Sequence, residues 1–152
     1  MKSYATHAQL YLRLALGIGF LNAVLDRFGW LGAPGENNVA WGNWNNFLDY
    51  TYVLLPFLSR PLSDIMGWMA TIAEVLFGVL LMVGYQTRLM ALGSFVLTLL
   101  FALSMALTLG IRAPLNYSVF AVSAGSLLLA AFPAYSYSID SLLTAKKSKI
   151  FS

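Results

Sequence analysis

Hydrophobic positions in this chain come in long uninterrupted stretches. Four stand out, running approximately from Gln9 to Phe28, Ile65 to Tyr85, Leu89 to Ile111 and Leu115 to Ala134. Each is close to the roughly 20 residues that an α-helix needs to cross a hydrocarbon core of about 30 Å. Strands of a membrane barrel would alternate apolar and polar residues with a period of two, and these stretches do not. The pattern predicts an all-α integral membrane protein, a four-helix bundle forming a single membrane domain over residues 1–152, with spans at about 9–28, 65–85, 89–111 and 115–134.

One connection, from about 29 to 64, is long, and it holds three of the four Trp residues. Loops of that length are functional or disordered more often than not. Here Trp41, Trp44, Leu48, Tyr52 and Leu55 recur at spacings of three, four, four and three, which places them on one face of a helix. Asn43, Asn46, Asp49 and Tyr50 fall away from that face. The spacing predicts an amphipathic interfacial helix on the outer face, with Pro56 and Pro61 closing it before the second span. Trp41, Trp44 and Tyr52 serve either as an aromatic belt at headgroup level or as a cap over a lipid-soluble ligand site.

Composition supports the membrane reading. Hydrophobic residues make up 59% of the chain and charged residues 10%, against roughly 25% charged in soluble domains. A chain so poor in charge cannot cover its surface with water-compatible side chains, so much of that surface must face lipid. Nine Lys and Arg against six Asp and Glu give a net charge of +3, too small and scattered for a nucleic-acid footprint. The chain has no Cys, which excludes a thiolate nucleophile, a disulfide relay, an iron–sulfur cluster and a Cys-ligated zinc. Its one histidine, His7, cannot form a bis-histidine haem within one copy, and a lone His is no metal site. No metal and no ligated cofactor are therefore expected.

Charge also suggests topology. An even number of spans puts both termini on one side, where Lys2, Lys146, Lys147 and Lys149 gather with Arg88, and the positive-inside rule makes that side cytoplasmic. The expected location is the cytoplasmic (inner) membrane. Arg13 interrupts what would be the apolar core of a signal peptide and no Ala-x-Ala site follows, so the first span is expected to stay in the mature protein.

Two ionisable residues, Arg13 and Glu74, lie inside predicted spans. A charge at such depth costs about 2.5–3.5 kcal/mol on insertion scales and needs a partner, water or a bound proton. Arg13, Gly17, Phe20, Val24 and Arg27 share one helical face, and Glu74, Gly78, Leu81, Tyr85 and Arg88 another. The two faces are expected to meet, with Gly17 and Gly78 allowing close approach. Either Arg13 or Arg27 can then pair with Glu74. The constellation reads as an ion pair that fixes helix register, or as a proton-handling carboxylate beside a polar ligand headgroup. Ser94, Thr98, Met105 and Thr108 form one further stripe and Asn116, Ser123 and Ser126 another, which read as helix packing. Asn116 stands apart as a candidate for binding a ligand carbonyl or capping a helix.

The residues Arg13-Leu14-Ala15-Leu16-Gly17, Asp26-Arg27-Phe28-Gly29, Glu74-x-x-x-Gly78, Gly84 and Arg88 together resemble the DoxX/DoxD family. These are small four-helix membrane proteins linked to a terminal quinol oxidase and a thiosulfate:quinone oxidoreductase. The resemblance runs from Arg13 to Ile139 and Asp140, taken as the end of the last helix. It implies that Arg13 is the family's first-helix arginine, that Arg27 stands where a Lys or Arg closes that helix, and that Glu74 is the second-helix carboxylate. The long Trp- and Asn-rich first loop departs from the family pattern.

Two functions follow as expectations. In the first the chain is a membrane subunit of a quinone-linked oxidoreductase, with Arg13, Arg27, Glu74 and Asn116 lining a site for a bound quinone and a partner subunit supplying the redox centre. In the second it is an accessory or scaffolding subunit that docks an outer-face partner. Both place it in the lipid bilayer with protein partners or further copies of itself, and neither gives the isolated chain an activity. Transport is disfavoured, because the apolar stretches show no internal repeat and no interrupted helix.

Overall fold

The computed structural model describes the backbone of residues 2–150 and the side chains of residues 4–146. It contains α1 (Lys2–Arg27), α2 (Trp44–Leu54), α3 (Arg60–Val83), α4 (Thr87–Leu109), α5 (Arg112–Asn116), α6 (Val119–Ala130) and α7 (Ile139–Ile150). Three of these are long and apolar enough to cross a membrane, over Tyr4–Arg27, Arg60–Val83 and Thr87–Leu109. Large apolar side chains such as Ile18, Ile72, Leu100 and Leu107 stand exposed along them, a surface that only lipid can wet without cost. The protein is an all-α integral membrane bundle.

The fourth predicted span is not continuous. The stretch from Leu115 to Ala134 is divided between α5 and α6, and α6 has 12 residues, about 18 Å of rise. Ser118 adopts a left-handed backbone with φ 55°, which an L-residue helix cannot propagate, so the axis breaks at Tyr117 and Ser118. The backbone groups freed there bond locally, Tyr117 N to Ala113 O and Ser118 N to Leu115 O. At its other end α6 stops because Pro133 forces Phe132 out of the helical region. The expectation of four uninterrupted spans, and with it one argument against transport, is corrected on this point.

Two further boundaries differ from expectation. Pro61 does not close the loop helix but sits in the first turn of α3, where its missing N–H costs nothing. Ile139 and Asp140 open α7 instead of ending the last span. Asp140 works as a remote cap: its two carboxylate oxygens accept the Gln86 and Thr87 amides, each at 2.8 Å, at the otherwise open N-terminus of α4.

The core forms where α1, α3, α4 and α6 meet, around Leu16, Phe20, Leu81, Ala91 and Leu129. Helices α1 and α3 run antiparallel and nearly touch, since a Cβ on Gly17 would lie 2.8 Å from the Gly78 carbonyl oxygen. The stripe Arg13, Gly17, Phe20, Val24 and Arg27 is buried throughout. The opposing stripe holds only to Leu81, because α3 ends at Val83 and Tyr85 and Arg88 lie beyond it, exposed. Ser94, Thr98, Met105, Ser123 and Ser126 of the two further stripes are buried as well, whereas Thr108 is half-buried and Asn116 exposed; Ser94, Thr98 and Ser126 bond to carbonyls of their own helix. Ser123 reaches across to Phe95 O at 3.5 Å.

Arg13 holds the end of the bundle where the chain termini lie. It is fully buried and donates to backbone carbonyls alone: Nε to Leu81 O at 2.9 Å, Nη1 to Ser136 O and Tyr137 O, and Nη2 to Met82 O and Tyr137 O. Gln9 adds a bond to Ser136 O at 3.0 Å. One guanidinium thus caps the last turn of α3 and fixes the 131–138 segment against it, a load that only its rigid fork of five donors can carry. Replacing it leaves several buried carbonyls unpaired at about 1–3 kcal/mol each. Arg13→Ala is expected to lower the melting temperature of the detergent-solubilised protein sharply, and Arg13→Lys to recover less than half of that loss. Wild-type melting of either variant would show that these bonds contribute nothing net.

Candidate functional site

At the C-terminal end of α1 the second buried arginine meets the carboxylate. Arg27, the last residue of α1, is 2% exposed. Its Nη2 lies 2.7 Å from Glu74 Oε2 and donates to Oε1 at 2.9 Å, while Nη1 donates to Thr71 Oγ1 at 2.9 Å. Arg27, not Arg13, is therefore the partner of Glu74. One donor and one acceptor of the pair remain unsatisfied: Arg27 Nε has no hydrogen-bond partner, and Glu74 Oε2 touches the cation without accepting an aligned bond.

The guanidinium is also faced by aromatics, with Phe47 at 4.0 Å and Trp41 at 5.1 Å from its central carbon to the ring centroids. Such contacts are worth about 2 kcal/mol when desolvated. The first loop is built to deliver them. Asp26 Oδ2 accepts the Ala40 and Trp41 amides and so ties the loop back to α1. Asn43 then caps α2 by accepting the Asn46 amide at 2.8 Å.

Helix α2 lies where the spacing placed it, but it is rotated. Its buried face is Phe47, Leu48, Thr51 and Leu54, whereas Tyr52 is exposed and sits over the Arg60 guanidinium at 5.6 Å. The reason is a slot in α3: Gly67 has no side chain, and Leu48, Phe47 and Thr51 occupy the space that a Cβ there would need. Trp44 stacks on Phe28 at 5.4 Å and meets Trp68 at 4.2 Å, forming an aromatic rim beside the cavity.

Between α2, α3 and α4 lies a cavity of about 390 Å³. Arg27 and Glu74 supply its charge, Thr51, Thr98 and Ser104 its hydroxyls, and Phe47, Met66, Met69, Ala73, Leu97 and Phe101 most of its wall. Met69 and Leu100, both 58% exposed, stand where it opens to the bilayer. A largely apolar cleft with a few convergent polar groups is what a lipid-soluble molecule with a polar head requires. Tyr50 packs beside it on Phe101, and burial raises its phenol above the ordinary tyrosine range, with Tyr117 adding to the effect. It is therefore a neutral donor near neutral pH.

Of the expected site residues, Arg27 and Glu74 come together in the cavity and Trp41 covers Arg27. Arg13 lies in the middle of α1, about 21 Å along the axis from Arg27 and beside the far end of α3, and Asn116 is exposed at the end of α5, outside the cavity wall. His7 is exposed near the chain's N-terminal end. Phe47, Thr51, Thr71 and Phe101 are not among the residues the sequence singles out, and Thr98, read there as helix packing, lines the cavity. The signal for part of this set was present, since Gly67, Thr71, Glu74 and Gly78 recur at spacings of four, three and four on one face of α3.

The fold and site define a small helical membrane protein with a charged, bilayer-facing cleft. Residues 9–152 match the family model described as TQO small subunit DoxD. The chain belongs to the DoxD family, whose description is that of a small subunit of an oxidoreductase complex. No curated protein and no solved structure matches it.

Removing one member of a buried ion pair leaves an uncompensated charge, at a cost of about 3–5 kcal/mol. Arg27→Gln should therefore destabilise the protein strongly, and Arg27→Gln with Glu74→Gln should be more stable than Arg27→Gln alone. Thermal unfolding of both singles and the double measures the coupling, and simple additivity would contradict the pair.

Proposed function

We propose that this chain is the quinone-binding membrane subunit of a quinone-linked oxidoreductase complex, with the redox centre on a partner subunit. The observation that carries the reading is the cavity between α2, α3 and α4, open to the bilayer and holding Arg27 and Glu74. A quinone is apolar apart from its carbonyls, so it reaches such a site laterally from lipid. The unpartnered Nε of Arg27 supplies a donor for a carbonyl oxygen. Glu74 is the group able to pass a proton to a reduced quinone oxygen, while Phe47 and Phe101 offer faces for the ring. The electrons come from the partner, since the chain lacks Cys and has one His.

The same reading places the protein in the cytoplasmic membrane with both termini inside. Supporting it, the bond from Gln9 to Ser136 and those of Asp140 bring the N-terminal half of α1, the α3–α4 turn with Arg88, and α7 to one end. The side chains of Lys2, Lys147 and Lys149 lie outside the described residues. A scaffolding role draws on a different observation: Trp30 and Phe57, 75% and 78% exposed in the loops flanking α2, offer apolar contacts to a partner on the outer face.

In the intact complex, Glu74→Gln and Phe47→Ala are expected to lose co-purifying quinone, and Glu74→Gln to slow quinone reduction on the order of 100-fold, the usual scale of a lost proton-transfer group. Unchanged quinone content and rate in both variants, with the complex still assembled, would leave the scaffolding role.

A further inference from the structure

Helix α7 takes no part in the cavity and lies at the opposite end of the bundle. Its start is pinned by the bonds of Asp140 to Gln86 and Thr87 and by the Asp140 amide donating to Gly84 O at 3.0 Å. These hold α7 beside the turn between two membrane-spanning helices, at the level of the bilayer surface. Tyr4, Tyr85 and Tyr137, all exposed at this end, mark the same level, where tyrosines favour headgroups.

From that anchor Ile139, Leu142, Leu143 and Lys146 follow at i, i+3, i+4 and i+7, one face of a helix. The three apolar members are all exposed, Leu142 at 71% and Ile139 and Leu143 at 38% and 46%. Lys146 is exposed at the end of the stripe, and the sequence continues through Lys147 and Lys149. Between α7 and the first turn of α4 is an open cleft of about 490 Å³, lined among others by Thr87, Arg88, Leu89, Tyr135, Asp140 and Leu143. Arg88 is exposed, and Leu89 is 57% exposed. Asp140, the one acid in the wall, already has both oxygens on backbone amides. The Thr87 hydroxyl is buried without a hydrogen-bond partner, whereas the Tyr135 hydroxyl is committed to Leu129 O at 3.0 Å. The surface is thus cationic at its rim and apolar beneath.

We infer that the cleft between α7 and the first turn of α4 binds the headgroup of an anionic phospholipid, with α7 lying in the membrane interface. Arg88 meets the phosphate with the unpartnered Thr87 hydroxyl beside it, and Leu89 and Leu143 meet the acyl chains. A soluble anion satisfies only the first half of that surface. A neutral lipid satisfies only the second. The inference is independent of the quinone reading, because it concerns the other end of the molecule and none of the cavity residues.

Because the chain has no Cys, single-cysteine variants carry a spin label without background. Leu142→Cys, on the apolar stripe of α7, and Ser141→Cys, on the side facing away from that stripe, are compared in lipid nanodiscs holding one full-length chain each, in phosphatidylcholine alone and with phosphatidylglycerol added. In the anionic discs the label at 142 is expected to be reached by oxygen and shielded from a water-soluble nickel chelate, and the label at 141 the reverse. Each lysine near an anionic surface contributes about fivefold, so Lys146→Gln, Lys147→Gln and Lys149→Gln together should cut the docked population on the order of 100-fold. Adding Arg88→Gln should lower it further. Three results would each overturn the inference: equal shielding in pure phosphatidylcholine, shielding only when two chains share a disc, or release by inorganic phosphate at constant ionic strength.

Discussion

A guanidinium in a hydrocarbon layer must bring its own solvent, and α1 carries one near each end of its buried face. Both arginines are almost fully buried, and the protein solvates them in opposite ways. Arg13 is surrounded by carbonyl oxygens at the end of α3, the place where a helix has spare acceptors and a negative dipole end. No nitrogen of that guanidinium is left over for a ligand. Arg27 receives one carboxylate, one hydroxyl and two aromatic faces, and its Nε remains unused.

That difference separates an arginine spent on the fold from one left facing a cavity. Arg13 is used up on backbone carbonyls, and Asp140 on the amides of α4 is the same solution with the opposite charge. At the Arg27 end the first loop must fold back over the bundle to supply aromatic cover. It does so through Asp26, whose carboxylate gathers the loop amides, and through Gly67, whose missing side chain lets α2 settle on α3. The α2 helix thereby roofs a space that α3 and α4 leave open toward lipid. A cleft with a half-satisfied ion pair at its polar side is costly to maintain in a membrane, and the proposed function supplies a use for that cost.

Much of this was legible in the residues. Three of the spans, the loop helix and the buried stripe of α1 follow from hydropathy, periodicity and the expense of charge in lipid, which leave few alternatives. The choice between Arg13 and Arg27 did not follow, because it depends on where α3 ends. Gly84 in a left-handed conformation stops α3 beside Arg13 and offers carbonyls there, a tertiary fact with only a weak local signature. The rotation of α2 was hidden for a similar reason: Trp and Tyr dominate the pattern, but the packing slot at Gly67 decides which residues turn inward. The break at Ser118 is set by a backbone angle that serine rarely adopts, and hydropathy cannot see it. Asn116, polar at a predicted span end, lies exposed at the end of α5 and outside the cavity wall.

The account is tested most directly by photolabelling. A quinone carrying a photoreactive group, cross-linked in the intact native membrane complex and mapped by mass spectrometry, should modify peptides of α2, α3 and α4 around Phe47, Met69 and Phe101. Excess unlabelled quinone and Glu74→Gln should both suppress those adducts. Adducts confined to the Arg13 end, to α6 or to a partner subunit alone would contradict it.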